Sequence, residues 1–180
     1  MPLPVAHSLI GASVAAALNK KTEGWWKLLC VSAFLGVCPD FDYILNWLRV
    51  GKGGWHHGFT HSIVFALVIG AAMSLVTRWR TVQAFIVFSA ATASHTLLDY
   101  LMTESRGVSM WWPFTDHRYK LQGPNPIDYT WSTTSLAEAA VDIIRISLTE
   151  LLIFGPILLV VIVLRSLSFR KGKTPHGMDH

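Results

Sequence analysis

The feature that most constrains this chain is a series of five apolar segments, each bordered by a short polar cluster. The segments cover residues 5–18, 25–38, 62–77, 81–102 and 146–164. Only 14% of the 180 residues are charged and 52% are hydrophobic. A soluble domain carries about 25% charged residues, so this composition is typical of an integral membrane protein. The pattern predicts an all-α membrane bundle of four to five helices with a polar cap at one membrane face.

The length of the chain allows one membrane-embedded domain. We expect residues 1–165 to form that domain and residues 166–180 to form a basic, polar C-terminal tail. The first two segments are shorter than the roughly 20 residues of a simple span, so they are either tilted spans or a hairpin that re-enters one leaflet. No basic stripe interleaved with aromatic residues occurs, so we expect membrane lipids as partners and no nucleic acid.

Basic residues near the segment ends predict an orientation. One basic loop lies around Lys20 and Lys27, a second lies around Arg78, and the C-terminal tail is a third. With five crossings all three lie on one side, which the positive-inside rule makes cytoplasmic. The N-terminus and the loops at 51–61 and 103–135 then face the outer side of the membrane.

Histidine and aspartate residues collect on that outer side. His95 and Asp99 are four residues apart, so on a helix they point the same way and form a two-ligand arm for a cation such as Zn²⁺. Asp40 and Asp42 end the second segment, where carboxylates oppose the helix dipole unless a cation compensates them. A polar helix end, or an ordinary Pro-Asp turn, explains each pair separately.

Three histidines crowd into the six residues before the third segment, and His7 lies near the same membrane face. An interfacial or pH-sensitive loop is the alternative reading of the three histidines. The predicted metal ligands are His7, Asp40, Asp42, His56, His61, His95 and Asp99. This set exceeds the needs of one tetrahedral ion and contains no thiolate. It therefore fits two catalytic divalent ions, Zn²⁺ first, with Mn²⁺ or Fe²⁺ as alternatives.

One carboxylate lies inside the last apolar segment. Glu150 is a functional candidate by default, because an ionisable residue within a membrane segment is costly. A structural pairing with Arg145 near the interface is the favoured expectation.

At these residues the chain resembles the membrane-bound metal-dependent hydrolase family, the YdjM-like proteins of bacterial inner membranes. The matching motifs are His7, Pro39-Asp40-Phe41-Asp42, His56-His57-Gly58-Phe59-Thr60-His61-Ser62 and Ser94-His95-Thr96-Leu97-Leu98-Asp99, followed by Met102-Thr103 and Trp111-Trp112-Pro113-Phe114. His57 stands where the family pattern has Arg, so the resemblance assigns the ligand role to His56 and His61. Together with the charge pattern it implies a multi-pass inner-membrane protein whose site faces the periplasm.

A looser likeness is to zinc-dependent phospholipases C. Those enzymes use an Asp, a His fourteen residues later, and then a His-x-x-x-Asp pair. Asp42 and His56 have that separation here, and His95 and Asp99 supply the pair. The later His-x-x-x-Glu pair of those enzymes has no counterpart in this sequence.

These resemblances imply a metal-dependent hydrolase that cleaves a phosphoester, such as a lipid headgroup, with metal-activated water. Asp42 and Asp99 are the predicted catalytic carboxylates, which orient or deprotonate that water. The alternative is a non-catalytic metal-binding membrane protein, either a sensor or an assembly factor. A transporter would place its ligands near the bilayer midplane, whereas these lie at segment ends.

Overall fold

The computed structural model describes residues 2–19, 24–48, 56–77, 79, 81–102, 106–121, 126–130 and 135–171. The prediction of an all-helical membrane bundle is confirmed. Helix α1 covers Pro4–Leu18, α2 Trp25–Val37, α3 Asp42–Trp47, α4 Ile63–Val76, α5 Val82–Met102 and α6 Leu136–Lys171. A 3₁₀ turn over Cys38–Phe41 joins α2 to α3, and a second one over Phe59–His61 precedes α4. Three helical segments are long and apolar enough to cross a membrane, namely Trp25–Trp47, Val82–Met102 and Leu136–Phe169, while α1 and α4 are shorter apolar helices.

Helix α1 lies inside the bundle, packed against α2, α5 and α6. Two glycines let its backbone approach that of α2. A Cβ atom at Gly36 would lie 2.3 Å from the carbonyl oxygen of His7, and one at Gly11 would lie 2.5 Å from that of Ser32. Small residues at such seams are a usual means of close packing between membrane helices. The seam places the first turn of α1 against the last turn of α2.

Two helices are longer than the sequence predicts. The sequence predicts that the second segment ends at Pro39, but the helical path continues to Trp47. Pro39 occupies the first turn of the 3₁₀ segment, where its missing N–H is not needed. Helix α6 begins at Leu136 and continues through Pro156 to Lys171, because good helix formers flank the apolar run. The domain boundary predicted at residue 165 therefore falls inside a helix.

One end of the bundle is covered by the loop at 106–121. Its backbone accepts a hydrogen bond from Ile63 at Met110 (3.0 Å) and donates one from Ser109 to the carbonyl of His57 (2.9 Å). A β-bridge between Val108 and Tyr119 closes the loop on itself. The loop thereby fixes the histidine-rich segment before α4. Most of the basic residues that predict the orientation, including Lys20, Lys21, Arg78, Arg80 and Lys173, lie outside the described residues.

Candidate metal centre

Histidine and aspartate side chains from four places in the chain meet at the covered end of the bundle. The group consists of His7, Asp40, Asp42, His56, His57, His61, His95 and Asp99. It contains every ligand predicted from the sequence and adds His57. Asp40 and His56 keep 10% and 15% of their side-chain surface exposed, whereas the other members are buried. The structure thus gathers the predicted residues into one buried cluster.

Four donor atoms in this cluster have the spacing of a tetrahedral coordination shell. They are Asp40 Oδ1, His61 Nε2, His95 Nε2 and Asp99 Oδ2, and they come from the α2–α3 turn, the 3₁₀ turn before α4, and α5. Five of their separations measure 3.7, 3.4, 3.0, 3.2 and 3.3 Å. A tetrahedron with metal–ligand bonds of about 2.0–2.1 Å has edges of roughly 3.3–3.4 Å. Five of the six edges are therefore close to those of a tetrahedral shell, and the sixth, between Asp40 and Asp99, is below 4.8 Å.

Hydrogen bonds behind the two imidazoles set which ring nitrogens face this centre. His95 Nδ1 donates to the carbonyl oxygen of Gly36 at 2.7 Å, so Nε2 of the neutral ring carries a lone pair. The Thr60 hydroxyl donates to Asp42 Oδ2 at 2.7 Å and thus accepts from His61 Nδ1 at 3.0 Å. His61 Nε2 then also carries a lone pair. The two Nε2 atoms lie 3.0 Å apart, a distance at which a shared proton or a bound cation joins them. Partners such as Gly36 and Thr60 commonly orient metal-binding histidines.

The charge balance of the cluster also requires positive charge at this centre. In the described part of the chain, every ion-pair partner of Asp40, Asp42 and Asp99 is a histidine. Buried carboxylates require a compensating positive charge, which comes from protonated histidines or from a bound cation. Because Nδ1 of both His61 and His95 is engaged behind its ring, the compensating proton or cation lies at the Nε2 atoms that face Asp40 and Asp99.

His7 is the residue of α1 that contacts the other members of the centre. Its ring stacks on that of His95 with centroids 3.7 Å apart, and its Nε2 lies 3.5 Å from Asp99 Oδ1. Neither ring nitrogen of His7, and neither oxygen of Asp99, makes a hydrogen bond of good geometry within the described residues. Buried polar atoms are normally hydrogen-bonded, so unsatisfied atoms gathered in one place indicate a binding site for an ion. Asp99 therefore presents one oxygen to His7 and the other to His61 and His95.

His57 is the ligand candidate that the sequence pattern did not assign. Its backbone has a φ of 61°, a left-handed conformation uncommon for a residue with a side chain. This conformation and the bond from Ser109 hold its Nε2 3.5 Å from Asp99 Oδ2. Burial lowers the pKa of His57 to about 3, although Asp99 opposes the shift. The ring is therefore neutral at physiological pH, which is the form that binds metals.

Asp42 and His56 form a separate pair at the edge of the cluster. His56 Nδ1 lies 2.9 Å from Asp42 Oδ1, while Asp42 Oδ2 accepts from Thr60. Both oxygens of Asp42 are thus engaged, and His56 remains partly exposed beside the ring of Tyr43, at a centroid distance of 3.9 Å. The fourteen-residue spacing noted in the sequence corresponds to this contact.

Glu150 has a structural position that differs from the sequence expectation. Its fully buried carboxylate accepts hydrogen bonds from the backbone N–H groups of Leu3 and Ala6 and from the Tyr129 hydroxyl. The expected pairing with Arg145 is wrong, because that guanidinium instead contacts two aspartates, Asp128 and Asp142, near the start of α6. The first turn of α1 has no capping side chain of its own. Glu150 therefore accepts hydrogen bonds from the otherwise unpaired N–H groups of that turn and fixes its position. The second of these groups, on Ala6, is one residue before His7.

The chain matches the family described as YdjM inner membrane protein over residues 1–171. It is 30% identical to "Inner membrane protein YbcI" of Escherichia coli (strain K12) over 125 residues, which cover 66% of this chain and 72% of that protein. No solved structure matches the chain.

Proposed function

The chain belongs to the YdjM family of inner membrane proteins, and from its buried His/Asp centre we propose that it is a metal-dependent hydrolase. The observation that carries this proposal is the near-tetrahedral set of Asp40, His61, His95 and Asp99 donors, in which the two Nε2 atoms lie 3.0 Å apart. A set of histidines and carboxylates without thiolates is the kind that catalytic Zn²⁺, Mn²⁺ or Fe²⁺ sites use.

We assign two ions to the cluster. The tetrahedral set would hold the first ion. His7, beside Asp99 Oδ1, and His57, beside Oδ2, would help to hold the second, with Asp99 shared between the two ions. Ions in such a site lower the pKa of water and polarise a phosphoryl oxygen, which is the chemistry that phosphoester hydrolysis requires.

The protein's own groups complete the proposed mechanism at the exposed edge of the cluster. Asp42 holds the proton on Nδ1 of His56, so that Nε2 of this ring is the basic atom. His56 is the more exposed member of the pair and is therefore the group that a substrate or a water molecule reaches. Asp42 acts by positioning His56, while Asp99 remains between the two ligand groups. We expect the substrate to be a phosphoester carried by a membrane lipid, and the site to face the periplasm.

Metal content and phosphodiester cleavage test the proposal on the same purified protein. We expect stoichiometric Zn, Mn or Fe by elemental mass spectrometry, and loss of that metal in the His95→Ala/Asp99→Ala variant. A chromogenic phosphodiester and mixed phospholipid vesicles with added Zn²⁺ or Mn²⁺ measure turnover. His117→Ala is the matched control, because His117 is exposed and lies outside the cluster. Cleavage that persists in the double variant would refute the assignment.

A non-catalytic metal-binding protein is the second candidate. The set of Asp40, His61, His95 and Asp99 favours it, because four protein donors around one ion leave no position for water. One tightly bound ion per chain, with no cleavage of any phosphoester, would identify this alternative.

A further inference from the structure

An apolar groove leads from the surface of the bundle to the metal centre. It is lined by Pro2, Leu3, Pro4, Val37, Asp40, Phe41 and Tyr43, and its volume is about 450 Å³. One wall is the start of α1 and the other is the helical path from α2 into α3. A volume of this size lies within the range of about 300–1,000 Å³ that is usual for ligand pockets.

The inner end of the groove reaches the proposed site directly. Asp40 lines the groove and is also one of the four tetrahedral donors. Tyr43 lines it as well, and its ring packs on the ring of His56. A molecule in the groove would therefore have one end beside the ions and beside the partly exposed histidine.

The outer part of the groove suits a hydrocarbon chain. Phe41 and Tyr43 are 45% and 47% exposed, and the remaining lining residues apart from Asp40 are Pro, Leu and Val. Val37, Phe41 and Tyr43 belong to a helical segment long and apolar enough to span the membrane, so this wall of the groove borders lipid. Two divalent ions would exceed the charge of the three carboxylates of the cluster by one, and this excess would attract a phosphate at the inner end.

We propose that this groove seats an acyl chain of a phospholipid whose headgroup phosphate lies against the ion at Asp40. The inference rests on the proposed function and makes its substrate an anionic lipid with the chain next to the phosphoester. A soluble phosphoester lacks the chain and would gain nothing from the groove. The walls formed by Leu3 and Val37 determine whether a chain fits.

Photolabelling tests the groove without relying on turnover. The probe is phosphatidic acid with a diazirine in one acyl chain, added to the zinc-loaded protein in phosphatidylcholine nanodiscs, with labelled residues mapped by peptide mass spectrometry. We expect labelling to concentrate on residues 2–4 and 37–43. Val37→Trp and Leu3→Trp fill the groove from opposite walls. Each should lower that labelling about tenfold, since excluding even two methylene groups from an apolar site has an effect of this size.

Val68→Trp is the control for a bulky residue on a lipid-facing helix, since Val68 is 60% exposed on α4 and does not line the groove. It should leave the labelling unchanged, and zinc content with thermal unfolding reports whether each variant is folded. Two results would refute the proposed acyl-chain site. One is labelling spread evenly over the exposed apolar helices, and the other is unchanged labelling in folded Val37→Trp and Leu3→Trp proteins. Concentrated labelling that both Trp variants abolish, in a protein with no hydrolysis, would support the groove while the hydrolase assignment fails.

Discussion

The contact between Gly36 and His7 offers the sharpest test of how the helices build the centre. In Gly36→Ala the new Cβ would lie 2.3 Å from the carbonyl oxygen and 3.0 Å from the carbonyl carbon of His7, whereas real Cβ atoms essentially never approach another atom within 3.0 Å. The backbones of α1 and α2 must therefore separate by at least about 0.7 Å, and overpacking of this kind costs about 1–3 kcal/mol.

The same substitution disturbs the centre from two sides. It moves the backbone of His7, and it moves the Gly36 carbonyl oxygen that accepts the 2.7 Å hydrogen bond from His95 Nδ1. Loss of a partner that orients a ligating histidine lowers metal affinity by about 10–100-fold. We therefore expect Gly36→Ala to bind Zn²⁺ at least tenfold more weakly and to unfold at a lower temperature.

Zn²⁺ competition against a fluorescent chelator, together with thermal unfolding in detergent, measures both effects. Gly155→Ala is a matched control, because a Cβ there meets only Leu151 Cδ1 at 3.7 Å, an ordinary contact. If Gly36→Ala retains the zinc affinity and the unfolding temperature of Gly155→Ala, the α1–α2 seam does not set the geometry of the centre.

Three further substitutions or treatments have defined outcomes. Thr60→Val removes the hydroxyl between Asp42 and His61 and should weaken Zn²⁺ binding about 10–100-fold, whereas Thr60→Ser should bind normally. Equal Zn²⁺ affinities of the two variants in the chelator competition would show that the Thr60 hydroxyl does not orient a ligand. Glu150→Ala leaves the N–H groups of Leu3 and Ala6 without their buried acceptor and should cost about 1–3 kcal/mol. Faster hydrogen exchange at those two amides, absent in the exposed control Glu138→Ala, checks this. Chelation of the ions should lower the unfolding temperature, because ligand at about a hundred times its Kd stabilises the folded protein by about 2.7 kcal/mol; an unchanged temperature in a metal-loaded protein would contradict the buried site.

The sequence by itself determined the class of fold and the residues that form the candidate metal centre. Long apolar segments must be helices in a bilayer, since no other local structure satisfies the backbone there. The spacing of His95 and Asp99 placed both on one helical face, and the parity of the segments placed His7, Asp40 and His61 at the same end. These inferences follow from local periodicity and from the cost of polar groups in lipid, both of which can be evaluated along the chain.

Only the tertiary structure decided how those residues meet. The left-handed backbone of His57, the Thr60 hydroxyl between two site residues, and the continuation of the helix past Pro39 depend on neighbours distant in sequence. Glu150 caps the first turn of α1 rather than pairing with Arg145, because the packing of α1 on α6 brings the unsatisfied N–H groups of that turn to it. Which helices touch, and at which register, depends on side-chain shape across segments such as the Gly11–Gly36 seam, and no local pattern encodes that contact.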